Sequence, residues 1–335
     1  MSYRFNVRQA LINAVGAQIP TFGRLLIVKS PSDTADYNYQ VLQETFEPED
    51  GRVKFFTTVA SAYAEAQDGN NDVICIDAHT AHTISAMITV SKSRVHFFGF
   101  DAGGHQVQEG ARLVMGVTGV ATDLAPILVT GTRCSFRNLK VENASTTTQS
   151  LYGFIDNGEG TVIQNCHFLK TAGLSGTGCA HFWMAGDSLS GSNITCGQSN
   201  TPNTGATYGI LIKGKSDSTT TTVVKETFLK DVRVNMSVGG AVQATSSFIK
   251  INAISDMNFV NAIENFRGYN YIPVGGTIMS DAILAPASIV SGTLFLVAPT
   301  FMGCTASINN ASAGVQIALP GALPVAAGGL AANVA

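Results

Sequence analysis

The sequence predicts an all-β chain wound as a single-stranded, right-handed parallel β-helix, with an N-terminal capping helix and a β-rich C-terminal segment. Three observations lead there. A hexad of alternating residues, broken by Asn, Asp or Gly, recurs about every 25 residues. Hydrophobic residues make up 45% of the chain and charged ones only 13%, which allows a long core with little ionic surface. The 34 glycines, with Thr, Ser and Asn between short apolar runs, favour strands and turns over any sustained helical period.

The hexads are FRNLKV (Phe136 to Val141), IQNCHF (Ile163 to Phe168), LSGSNI (Leu189 to Ile194), LKDVRV (Leu229 to Val234) and ISDMNF (Ile254 to Phe259). First and sixth positions are always apolar, second and fifth always polar. The third position is Asn138, Asn165, Gly191, Asp231 or Asp256, residue types that accept a positive φ and hence a sharp bend. A degenerate copy, VHFFGF, lies upstream with Phe97 in the bend position. The long step between Leu189 and Leu229 contains GQSNTPNTGATYG and KSDSTTTT, turn-rich stretches that read as loops inserted in one coil. Leucine-rich repeats share the period but need a leucine consensus, which is missing here.

Residues 53–285 are read as the β-helix. It opens with TTVASAYAEAQDGNN (Thr57 to Asn71), in which Thr57 or Thr58 caps an alanine-rich helix reaching Gln67, followed by the strand VICID. Such a helix covers the exposed first coil, whose open strand edge would otherwise invite aggregation. Residues 1–52 are read as an attachment segment, basic at first and acidic later. Residues 286–335 are read as an oligomerisation or attachment segment. From Ala282 to the end there is no Asp, Glu, Lys, Arg or His, and the runs TLFLV and GVQIAL are strand-like. Ser, Thr, Gly and Pro299 interrupt any membrane span, so burial against other protein chains is the better explanation.

A formal charge of −3 gives no overall electrostatic case for nucleic acid. Polar Asn6, Gln9, Asn13 and Gln18 interrupt the apolar core a secretory signal would need, so the first segment reads as retained and the protein as made in the cytoplasm. The six cysteines show neither zinc nor disulfide spacing and read as buried thiols. No cofactor or metal is indicated. His79 and His82, two residues and more beyond Asp77, lack an implied third ligand.

Glycoside hydrolysis would need two carboxyl groups in different protonation states. Asp187, Asp231, Asp256 and Glu264 are the candidates if the chain is an enzyme. Asp231 and Asp256 share the third hexad position in coils read as adjacent, but a bend role explains both more simply, as it does Asn138 and Asn165. Trp183 could stack on a sugar ring, though a packed aromatic is the commoner role.

The hexads, preceded by TTVASAYAEAQDGNNDVICID, resemble the pectate-lyase-like β-helix superfamily over roughly residues 53–285. The lyase patterns W-x-D-H and R-x-P-x-x-R and the polygalacturonase G-H-G are absent, so no catalytic residue is carried over and the expectation is a chain that is not an enzyme. Its overall organisation is similar to tailed-bacteriophage virion proteins. That resemblance implies a virion location after assembly in the host cytoplasm, a homotrimer, and contact with the major capsid protein or other virion proteins. The function expected from it is a capsid decoration or cement protein. The alternative is a receptor-binding tailspike that meets host surface polysaccharide, with or without depolymerase activity.

Overall fold

The computed structural model describes residues 23–29, 53–78, 80–100, 110–116, 124–171, 178–198, 207–214, 224–236, 246–252, 256–271, 278–285, 291–311 and 315–319. Among these, the chain forms a 16-stranded and an 8-stranded sheet in which every described pairing is parallel. Successive strands of one sheet lie one coil apart in sequence, as in a parallel β-helix. Each central coil runs through the larger sheet, bends, continues in that sheet's second segment, and crosses to the smaller sheet. In one such coil these are Ser135–Arg137, Leu139–Asn143 and Tyr152–Asp156.

The bend is the hexad's third residue. Asn138, Asn165, Asn193, Asp231 and Asn265 have φ between 51° and 54°, and their neighbours pair in register from coil to coil. Two expected hexads therefore shift. In LSGSNI the bend is Asn193 rather than Gly191, because Ile163 pairs with Gly191 and Cys166 with Ile194. Gly191 takes the inward first position, where Ile194 and Leu229 leave little room for a side chain. In the next coil the pairing of Leu229 with Ile263 makes IENFRG the repeat and Asn265 the bend, so Asp256 is not a bend residue. Phe97 likewise pairs with Phe136 in the first position, and Gly99 falls opposite the Asn138 bend. The bends are tied by a side-chain ladder. Asn165 donates to Asn138 at 3.1 Å, Asn193 to Asn165 at 3.0 Å, and Asn265 to Asp231.

Inside the coils the first, fourth and sixth positions fill one continuous core that includes Phe136, Leu139, Val141, Ile163, Cys166 and Phe168. An aromatic row runs along it: Phe97 stacks on Phe136 at 4.9 Å, and Phe154 on Phe168 at 4.4 Å. Contacts of this kind add about 0.5–1.5 kcal/mol each beyond area burial. Five of the six cysteines are buried, and Cys304 is partly so.

The capping helix is Val59–Glu65. Thr58 is its N-cap, its hydroxyl accepting from the Ser61 amide at 3.1 Å. Val59 and Ala62 enter the coil core beside Ile74 and Ile76, and Tyr63 stacks on Phe97 at 6.1 Å. The end is locked by Asp72, whose side chain is fully buried. It accepts from the Arg24 guanidinium at 2.7 Å and from the amides of Arg24 and Gln67. Coil-forming strands lie on both sides of the 53–285 span. Leu25–Val28, before the span, pairs between Val53–Phe56 and Val73–Asp77 at one end, and Ser291–Val297, Cys304–Asn310 and Val315–Ala318 extend the sheets at the other. Both strand-like runs of the uncharged segment thus fall on strands. The loop stretches expected inside the long coil lie largely outside the described residues.

Candidate functional site

A β-helix keeps apolar residues inside, so any binding chemistry has to sit on the outward positions of its faces. The smaller sheet is closed outside. Tyr152, Ile155, Trp183, Tyr208 and Leu211 form a second apolar cluster there, each no more than 8% exposed. The Trp183 indole donates to the Lys213 carbonyl at 2.7 Å with the Lys213 ammonium over its ring, and the Lys250 ammonium lies 4.7 Å from the Tyr208 ring centre. Trp183 is a packed aromatic with its one donor satisfied, not a free stacking platform.

The larger sheet is polar outside along its central coils, while its first coils carry the buried apolar cluster Val73, Cys75 and Phe98. The second hexad position, outward in every coil, builds the row Arg137, Gln164, Ser192, Lys230, Glu264 through direct cross-strand pairing. Arg137, Gln164, Asn165 and Ser192 line a shallow depression of about 380 Å³. His96 and Ser135 border the row, with Nδ1 and Oγ 2.8 Å apart. Burial pushes His96 down to about 4, with Arg137 adding to the effect, so the ring is neutral at pH 7.

Beyond the bend a second outward row reads Arg112, Lys140, His167, Thr195, Arg233, Arg267. Arg112 pairs with Glu142 at 2.7 Å. The imidazole of His167 faces the Gly197 carbonyl at 2.7 Å, and burial lowers it to about 4. Burial also lowers Arg137 and Lys140, two half-buried cations on either side of Asn138. Guanidinium, ammonium, amide and hydroxyl groups repeating once per coil, about 4.8 Å apart, suit a linear ligand rich in oxygen acceptors.

The four carboxylates singled out by sequence are not brought together. Asp187 lies on the turn leaving the smaller sheet, bridged to Glu159 in one neighbouring coil and to Lys225 in the other, and its carboxylate meets the Lys225 ammonium at 2.8 Å. Asp231 is a bend residue. Asp256 begins the strand Asp256–Glu264 opposite Ser291, far along the coil from the Asp231 bend that it was expected to adjoin. Glu264 is exposed on the outer row, 3.7 Å from Lys230. The His82 imidazole contacts the Asp77 carbonyl at 2.6 Å, and His79 lies outside the described residues. Among the described residues no three His, Cys, Asp or Glu side chains are grouped to hold a metal ion.

Sequence reading missed Arg137, Gln164 and Ser192 as a set, although the uniformly polar second position was their signal. It also missed Asp156. That side chain points into the core, fully buried, accepting from the Thr161 hydroxyl at 2.8 Å and the Gly158 amide at 3.3 Å, with no hydrogen-bond partner for Oδ2 among the described residues. Burial raises it to about 7.

No family model and no curated protein matches the chain. Solved structures do. Pectin methylesterase PemA from Erwinia chrysanthemi superposes with a TM-score of 0.55 at 12% identity, over 93% of this chain and 94% of that one. An aspartate-to-alanine mutant of pectin methylesterase in complex with a hexasaccharide gives 0.52 at 12% identity, with the same coverage. The chain has a parallel β-helix fold. The comparison also corrects the expectation of a chain that is not an enzyme. That expectation leaned on absent lyase and polygalacturonase motifs, whereas the proteins sharing this fold along nearly its whole length are enzymes by name. Sites on this scaffold are assembled from outward residues a coil apart, which no contiguous motif records, so missing motifs give no ground for denying catalysis.

Proposed function

We propose that this chain is a glycan-engaging β-helix protein of the phage tailspike type, with host surface polysaccharide as its ligand and depolymerisation as its activity. The observation that supports it most is the open polar row Arg137–Gln164–Ser192, backed by the Asn138–Asn165–Asn193 amides. A guanidinium, an amide and a hydroxyl follow one another at the coil spacing, so successive sugars of an extended glycan can each meet a hydrogen-bond donor. The smaller sheet's outer face offers no comparable surface, being apolar and covered by its own residues. The likeness to two pectin methylesterases, one holding a hexasaccharide, is consistent with a carbohydrate role.

For cleavage, the carboxylates of Glu159 and Asp187 are in bridged positions of adjacent coils and Lys225 pairs with one of them, which supplies the residue types for acid–base work. Association as a homotrimer through the uncharged C-terminal coils belongs to the same reading, because Val297 and Met302 are exposed there.

The test is incubation with purified surface polysaccharides of candidate hosts, scored for binding and for release of new reducing ends or unsaturated sugars. Arg137→Ala with Gln164→Ala should lower affinity at least tenfold without changing the melting temperature. Retention on no host polysaccharide, together with a copy number of many tens per particle, would sink the tailspike reading in favour of a head location.

A further inference from the structure

We infer that Lys170 and Asn143 form a self-modification site, in which the lysine Nζ attacks the asparagine carboxamide and joins two coils through an amide cross-link, releasing ammonia. The inference concerns the interior of the rod and is independent of what its outer faces bind. Both residues lie two places beyond the sixth position of their hexads, so the inward alternation carries them into the core at the end of their strands. They are direct cross-strand partners in neighbouring coils, and both are fully buried.

A buried lysine ordinarily meets a carboxylate. Among the described residues Lys170 has none: Nζ donates to the Ser145 carbonyl and lies 3.5 Å from Asn143 Oδ1. An asparagine at position 170 would extend a side-chain ladder like that of the bends without burying a charge, so a ladder alone does not explain the lysine. Burial lowers it to about 8, which leaves about one amine in ten with a free lone pair at pH 7. The titratable groups beside it are Cys179 and His181, whose Nδ1 accepts from the Lys170 amide at 3.0 Å. Burial lowers His181 to about 3, so it brings no competing charge.

The carboxamide is held as an electrophile. Asn143 Oδ1 accepts from the Ser145 amide at 3.0 Å and the Ser150 hydroxyl at 3.3 Å. Those two donors draw electrons from Cγ and hold the negative charge that attack places on Oδ1. On the other side Nδ2 donates to Ser150 Oγ at 3.0 Å and to the Tyr152 carbonyl at 2.7 Å, which fixes the plane of the group. Nucleophile and carboxamide are thus presented to each other by the fold itself.

In the reaction the lone pair of the neutral amine forms the Nζ–Cγ bond while the carbonyl π electrons move to Oδ1. One Nζ proton passes to Nδ2, with the Ser150 hydroxyl, which touches both Oδ1 and Nδ2, as the relay. Oδ1 then returns its electrons, the Cγ–Nδ2 bond breaks, and Nδ2 leaves as ammonia. The product is a neutral secondary amide whose remaining N–H faces the Ser145 carbonyl and whose oxygen keeps the Ser145 and Ser150 donors. The Tyr152 carbonyl gives up its side-chain donor, and in exchange the core loses an unpaired cation.

The test is the mass of the tryptic peptide that contains both residues. Trypsin cuts after Lys140, Lys170 and Lys213, with no other Lys or Arg between them, so the unlinked chain gives peptides 141–170 and 171–213. An acylated lysine is not cut. The full-length protein, kept folded for several days at about pH 9, above the lowered lysine value, is denatured and digested. It should yield a single peptide 141–213, lighter than its sequence mass by one ammonia, about 17 Da, with fragmentation placing the bond between Asn143 and Lys170. Lys170→Met and Asn143→Ala should abolish the loss, Asn143→Asp should form the same bond with loss of water, and Ser150→Ala should slow formation about tenfold or more.

The wild-type digest decides the matter without any variant. Complete cleavage after Lys170, with peptide 141–170 at its sequence mass, overturns the inference. Loss of ammonia with Lys170 still cut also overturns it, because that is the mark of a cyclic imide at an asparagine and not of a cross-link.

Discussion

Replacing Asp156 by asparagine should stabilise the protein at pH 8 and flatten its stability between about pH 4 and pH 7. The carboxyl group sits among core side chains with one oxygen bonded and the other without a partner, and burial raises it from 3.8 to about 7. In that window the folded state keeps its proton while the unfolded state releases it. Stability attributable to this group is therefore fully present below about pH 4, declines as the pH rises, and levels off above about 7. A gap of roughly three units at about 1.4 kcal/mol each amounts to about 4 kcal/mol. Asparagine preserves the acceptor for Thr161 and Gly158 and cannot ionise, but it places an amide N–H pair where Oδ2 has no hydrogen-bond partner among the described residues, at a cost of about 1–3 kcal/mol. The net gain at pH 8 is on the order of 1–3 kcal/mol, within the resolution of urea melts performed at pH 5 and pH 8. If the wild-type protein is equally stable at both pH values, or the variant is the weaker one at pH 8, Asp156 is not held as a neutral acid in the core.

Asp72→Ala should destabilise by about 2–4 kcal/mol, because it leaves the amides of Arg24 and Gln67 unpaired at the capped end while the Arg24 guanidinium keeps Glu65; chemical denaturation measures it. Burial pushes Asp72 up, but its hydrogen bonds from Arg24, Gln67 and Asn70 outweigh that and hold it below 3.8. Its contribution is thus complete above about pH 4 and lost as the pH falls through the lowered value, the opposite sense to Asp156. Asp231→Asn should raise the melting temperature slightly, worth about 0.5–1 kcal/mol, by giving Asn193 a donor while still accepting from Asn265; a lowered melting temperature would count against the ladder. Thr58→Ala should cost about 0.5–2 kcal/mol through the lost helix cap, read as earlier proteolysis around residues 57–67 as well as by melting.

The coil and its bends were legible because the hexad combines an outward polar alternation with a residue that tolerates positive φ. Its register was less so. In LSGSNI both Gly191 and Asn193 accept that conformation, and only the pairing of Cys166 with Ile194 decides between them. ISDMNF fits the pattern better in one dimension than IENFRG, which has Gly268 in the sixth position, and the stacking of Ile263 on Leu229 nevertheless selects the second. Asp231 and Asp256 were expected in neighbouring bends for the same reason and are separated by it. Arg137, Gln164 and Ser192 are 27 and 28 positions apart, so they form a row only once the period is fixed by the core. Asp156 was readable in principle: it is two residues from Phe154 in a strand, hence on the same inward side, but an acid at that place contradicts the composition rule that makes the rest of the pattern interpretable.

The row of bend amides has a polarity. Each asparagine donates toward the chain start and accepts from the coil that follows, so a coil joins the series only if its bend residue can do both. Asp231 in its ionised form accepts from Asn265 and has no proton to offer Asn193, and no hydrogen bond links the two among the described residues. The stack consists of two internally linked blocks meeting between these bends, which is also where the chain takes its longest detour between successive repeats. That junction is the position where whole coils could be added or exchanged without severing a link of the bend ladder, at the cost of the Asp187–Lys225 ion pair that crosses it, making it the natural joint for rebuilding the length of the rod.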